Sequence, residues 1–149
     1  AKAEGRWVVV IQHKPCVSAA EKSCEISRNL TGWETSNVDV VLIGHSHNYQ
    51  RSHQMPCFTV DWVAPGCIAD YDGMHDRGDG TVFVINGLGG RDRPVNRDDP
   101  EAGYFAAMLG EGDPGEGHGV VEFDITRASL TATFIGSDTD WTDRFVIRR

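Results

Sequence analysis

Two short apolar runs dominate the first part of the chain, Trp7 to Ile11 and Val38 to Ile43, and each breaks into polar sequence just before a histidine. Runs of this length, rich in valine and isoleucine, read as buried strands. The first strand is expected over Trp7 to Gln12, with Pro15 closing it. Ser18 to Cys24 is polar and reads as a loop. Cys24 to Thr35 carries Ile26, Leu30 and Trp33 at helical spacing and predicts a short amphipathic helix. Strand, helix and strand make a βαβ unit, which favours parallel strands joined by a right-handed crossover.

The style then changes. Cys57 to Trp62 and Thr81 to Asn86 are strand-like, separated by Ala64 to Gly80, a stretch rich in Gly and Asp. Gly87 to Pro100 reads as a loop and Ala102 to Leu109 as a short helix. Val120 to Ile125, Leu130 to Ile135 and Phe145 to Ile147 read as three closing strands, with Asp138 to Asp143 as a polar turn. The expected class is α/β (α+β), with a βαβ start and a β-rich C-terminal half. No repeat or linker divides the 149 residues, a length that suits one domain.

The βαβ start brings His13 and the pair His45/His47 to one edge of the sheet. Carboxyl ends of strands are where open α/β sheets place ligands. Three neutral imidazoles on rigid elements suit a divalent metal. The remaining histidines, His53, His75 and His118, lie in polar or Gly-rich sequence and read as surface or loop residues. Asp70, Asp72, Asp76 and Asp79 are carboxylates of the kind calcium favours, but their spacing fits no EF-hand loop, and a solvated hairpin loop is the better reading. Gly87 to Gly90 is not a dinucleotide fingerprint, and no G-x-S-x-G elbow occurs.

Composition narrows the partners. A formal net charge of -8 argues against broad contact with a nucleic-acid backbone, which needs a basic face. No apolar run is long enough to span a bilayer as a helix, so no membrane partner is expected. The four cysteines form no C-x-x-C pair. Cys16/Cys24 and Cys57/Cys67 each bracket a short loop, and two local disulfides are expected, although other pairings and a reduced state stay open. Disulfides imply a secreted, periplasmic or extracellular location. Asn29-Leu30-Thr31 is a glycosylation sequon, relevant only in a eukaryotic secretory host. A start at Ala1 without Met reads as a processed chain or a fragment.

In order along the chain stand WVVVIQHKP, VDVVLIGHSHNYQRS, GTVFVINGLGGRD, GHGVVEFDI and DRFVI. This set resembles the C-terminal half of a calcineurin-like metallophosphoesterase, in the purple acid phosphatase branch. G-H-x-H-x-Y-x-R-S is its most specific element. The resemblance implies part of a four-layer α/β/β/α sandwich that hydrolyses phosphate mono- or diesters by metal-bound hydroxide at a dinuclear site. It implies two divalent or trivalent ions (iron, zinc or manganese), with His13 and His45 on one and His47 on the other. Asn48, Tyr49 and Arg51 would support those ligands or line the rim. The substrate would be a small phosphorylated molecule.

The family's D-x-H, G-D-x-x-[DY] and G-N-H-[DE] motifs do not occur here. The expected partner is therefore a missing N-terminal half of the same domain, which would also cover the apolar Trp7 to Gln12 strand. Without that half the chain is expected to be inactive. Two other readings are a mononuclear three-histidine zinc hydrolase and a disulfide-stapled extracellular binding module with incidental histidines.

Overall fold

The computed structural model describes residues 5–21 and 38–149, and these form two mixed β-sheets packed face to face. The first sheet contains β1 (Val9–Gln12), β2 (Val40–Ile43), β3 (Tyr49–Met55), β5 (Thr81–Asn86) and β6 (Phe105–Leu109), in the order β1-β2-β5-β3-β6. The second contains β4 (Met74–Asp76), β7 (Gly119–Ile125), β8 (Ser129–Gly136) and β9 (Arg144–Arg148), in the order β4-β9-β8-β7. β1, β2 and β5 run parallel; β3 pairs antiparallel to β5, and β6 pairs antiparallel to β3. This is the expected α/β (α+β) class, with two β layers in contact. The expected Cys24 to Thr35 helix and the sequon at Asn29 lie outside the described residues.

Strand alternation explains the layering. Val40, Val82 and Val84 turn one way and meet Leu130, Ala132, Phe134, Phe145 and Ile147 of the second sheet. Val41, Ile43, Phe83 and Ile85 turn the other way and are covered by Val17, Ala19, Cys67, Ala102 and Tyr104. The central strands are thus buried on both faces, which is why they read as unbroken apolar runs.

β3 departs from this regularity. Tyr49 belongs to the inter-sheet core, whereas Met55, six positions on, belongs to the opposite face. The register shifts after Arg51 against both neighbouring strands, and this bulge exchanges the two faces. Before the bulge, Tyr49 and Arg51 reach across to the start of β9. The Tyr49 hydroxyl donates to Asp143 Oδ2 (2.8 Å), and Arg51 donates from Nε (2.6 Å) and Nη2 (2.9 Å) to the same carboxylate. The Arg51 and Asp143 side chains are only 8% and 10% exposed, so this ion pair ties the sheets together in a low-dielectric setting.

Several expectations change. Cys57 to Trp62 is not a strand. Its backbone is capped by side chains rather than by a ladder: the Tyr104 hydroxyl accepts from Thr59 N (3.0 Å) and Ala64 N (2.9 Å), and Glu101 Oε1 accepts from Asp61 N (2.7 Å). The Cys57–Cys67 disulfide closes this segment. Cys16 is also disulfide-bonded, but the expected partner, Cys24, lies outside the described residues. Ala102 to Leu109 is not one helix. Ala102–Tyr104 is a 3₁₀ turn, and Phe105–Leu109 is β6, drawn into the sheet by the open edge of β3. Met74–Asp76, read as part of a Gly/Asp-rich loop, is β4, paired parallel to β9. His75 on it is fully buried, not a surface residue, with Nδ1 against the Asp70 carboxylate at 2.9 Å. Among the described residues no helix is long and apolar enough to cross a membrane.

Removing the shared acceptor strands a buried guanidinium and a buried phenol. Asp143→Ala is therefore expected to cost about 3–5 kcal/mol in urea unfolding, against about 1 kcal/mol for Tyr49→Phe, which removes one hydrogen bond.

Candidate metal centre

β1 and β2 end side by side, with Gln12 paired to Ile43. The chain leaves β1 into His13 and leaves β2 through Gly44 into His45. The two imidazoles meet edge to face, ring centroids 5.1 Å apart, with His45 Nδ1 3.4 Å from His13 Nε2. That is longer than an ordinary N–H hydrogen bond. It equals the separation of about 3.4 Å expected for two imidazole nitrogens on one tetrahedral ion with metal–nitrogen bonds of about 2.1 Å.

The backbone that delivers His45 is unusual. His45 has φ of 64°, and Ser46 N donates to Gly44 O (2.8 Å) across it. This left-handed conformation is costly for a residue with a Cβ and persists only where its surroundings enforce it. Gly87, at the end of β5, supplies part of that enforcement. A Cβ there would overlap the Ser46 carbonyl and lie 3.0 Å from His47 Cα. Gly87 N also donates to Asn48 O (3.1 Å), and the Ser46 hydroxyl donates to Glu21 O (2.8 Å).

A buried polar network holds the segment after His13 against β3. Gln50 accepts at Oε1 from Ala19 N (2.8 Å) and donates at Nε2 to Ser18 Oγ (3.0 Å) and Asn48 Oδ1 (2.8 Å). Glu101 Oε2 accepts from Ser18 N (3.0 Å). Asn48 Nδ2 reaches Pro94 O (3.2 Å), and His47 O accepts from Arg93 N (2.7 Å). The loops bearing the histidines are thus fixed to each other through β3.

The candidates do not all converge. His13 and His45 form a pair. His47 lines a separate concavity of about 410 Å³ with Glu21, Asn48 and Arg93. Asn48 sits beneath that concavity, in the Gln50 network. Tyr49 and Arg51 point away, into the space between the sheets. There burial, then the Asp143 charge, pushes the Tyr49 hydroxyl above its usual pKa, so it stays a neutral donor. Burial alone would lower the Arg51 pKa; hydrogen bonding to Asp143 and its charge more than offset this and leave it raised. Among the described residues no three His, Cys, Asp or Glu side chains gather as a metal cluster. Gln50, Gly87 and Arg93 escaped the sequence reading. Only the Gly of G-L-G-G, placed just after a strand, carried a trace of its role.

No family model matches the chain. Two uncharacterized proteins of Mycobacterium tuberculosis, from strains CDC 1551 / Oshkosh and H37Rv, are each 29% identical to it over 96 residues, covering 60% of this chain and 18% of theirs. The chain therefore spans about a fifth of the length of the curated relatives it matches. Among solved structures it is similar to a purple acid phosphatase from yellow lupin (Lupinus luteus) seeds, with a TM-score of 0.53 and 17% identity. That alignment covers 96% of this chain and 25% of the lupin chain. At this identity the likeness is one of fold: the two sheets are arranged as in part of the lupin protein.

Gly87→Ala forces the Ser46–His47 backbone aside. It is expected to cost about 1–3 kcal/mol in thermal unfolding and to shift the His45 and His47 ring resonances, while those of His75, on β4 of the second sheet, stay in place.

Proposed function

We propose that the chain is the C-terminal part of a metal-dependent phosphoesterase that hydrolyses phosphate mono- or diesters. His13, His45 and His47 are its share of the metal ligands. The observation that carries this reading is the His13–His45 pair, two imidazoles at the ends of adjacent parallel strands with nitrogens at a ligand-to-ligand distance. The likeness of fold to a purple acid phosphatase supports the phosphoester chemistry over other metal-assisted hydrolyses.

Bound metal would supply Lewis acidity toward the phosphoryl oxygens and a water acidic enough to attack at neutral pH. The chain's own residues bind and orient. His13 and His45 fix one site through their strand ends. His47 serves a second site, with Arg93 on the same concavity placed to hold a phosphate oxygen. The Gln50–Asn48–Ser18 network keeps the loops from moving apart.

Two metal sites need oxygen donors beyond these imidazoles. We assign them to a further part of the same domain that pairs with β1. Among the described residues that strand is an edge of its sheet, and Ile11 on it is 79% exposed. Secretion or a periplasmic location fits the Cys57–Cys67 disulfide.

Zinc titration of this chain is the direct test. His13→Ala and His45→Ala should each weaken binding by about 10-fold or more, since each removes a bond to the ion. Equal affinity in both variants and the parent chain would refute the pair as ligands. In the protein that carries the remaining donors, His45→Ala should abolish hydrolysis of an aryl phosphate.

A further inference from the structure

A second polar site lies toward the opposite, β3–β6 edge of the first sheet, away from His13 and His45. A pocket of about 390 Å³ opens between β3 and β6 of the first sheet and the β4–β9 pair of the second. Its floor is Arg51, only 7% exposed. Asp143 engages the guanidinium side-on through Nε and Nη2. The other terminal nitrogen, Nη1, is buried and has no hydrogen-bond partner. Arginine carries five N–H donors in a rigid fork, so side-on pairing leaves the opposite edge free to donate.

The nearby carboxylates make their hydrogen bonds to other groups. Asp143 already accepts from Arg51 twice and from Tyr49. Asp70 directs both oxygens to His75 Nδ1, at 3.0 and 2.9 Å. Asp72, on the pocket wall, accepts from Met74 N at 2.8 Å. A buried donor left without an acceptor is costly. The pocket also presents Arg144, which makes no ion pair among the described residues, and His53. His53 is held below its usual pKa first by burial and then by the Arg51 charge. Tyr71, 69% exposed, packs its ring against His53 at 4.8 Å and forms an apolar wall with Phe145.

We infer that this pocket binds a small oxyanion, inorganic phosphate or a phosphate monoester, with Arg51 Nη1 and Arg144 donating to its oxygens and His53 beside it. An oxyanion fits because it gives the orphan Arg51 edge the acceptor that the protein withholds, and paired guanidinium forks match its geometry. Tyr71 and Phe145 would flank the group that a monoester carries. The site shares no residue with the histidine pair, so it stands whether or not the phosphoesterase reading does.

Inorganic phosphate titrated into the full chain by isothermal calorimetry, in buffer containing EDTA, tests this. One saturable site is expected. Arg144→Ala, a rim change, should weaken it about tenfold, the loss of one charge-assisted contact. Arg51→Lys, which keeps the charge but not the fork, should weaken it as well, and matched melting curves would show that both variants fold. His45→Ala should leave it unchanged. Absence of saturable binding would overturn the assignment. So would binding that Arg144→Ala leaves intact, or binding that His45→Ala removes, which would put the phosphate at the histidine pair.

Discussion

Parallel pairing of β1 with β2 is the constraint on which the molecule's chemistry depends. Antiparallel neighbours would send His13 and His45 to opposite ends of the sheet. In parallel register, with Gln12 beside Ile43, both strands release their chains at the same edge, and the two imidazole nitrogens come within 3.4 Å. β5 continues the parallel set and brings Gly87 under the turn that carries His45. A side chain at that point would displace the turn, so the end of a third strand sets how close the second can come to the first.

Long-range polar contacts supply the rest of the rigidity. Gln50 lies on β3, yet its amide is spent on the segment after His13 and on Asn48. Arg51, the next residue, faces the other way and spends its charge on Asp143. One short strand thus braces the histidine loops on one face and the second sheet on the other. Chains of satisfied buried hydrogen bonds are stiff because each lost partner leaves an unsolvated group. The bulge after Arg51 lets the same strand return Met55 to the apolar layer that Gln50 faces.

How legible these features were in the sequence follows from how each is stabilised. β1, β2, β5, β7, β8 and β9 are held by apolar burial and stand out as apolar or alternating runs. β3 reads Tyr-Gln-Arg-Ser-His-Gln-Met, and all but His53 of these residues are buried, with polar side chains matched to partners far along the chain. No local pattern reports partners of that kind. Phe-Ala-Ala-Met-Leu has fair helix propensity but pairs with β3, so tertiary pairing overrides local preference. His13 and His45 were visible because they close apolar runs. Tyr49 and Arg51 were grouped with them through the family resemblance, but strand alternation turns them into the inter-sheet space. His75 was misjudged because its flanks are polar. Asp70, five residues before it, satisfies one ring nitrogen and makes burial tolerable.

The Trp7 indole, just ahead of β1, donates to the carbonyl of Thr126, 119 residues later, and the Arg149 guanidinium lies 5.8 Å from the Trp7 ring. The approach to β1 is thus anchored by residues that follow β7 and β9, in the opposite sheet. β1 itself finds its ladder in β2, Val9 beside Val40, whereas Trp7 meets its partner only across 119 residues, and closure over that distance is slow. Closing the two sheets over each other at this edge is therefore a later event in folding than pairing β1 with β2.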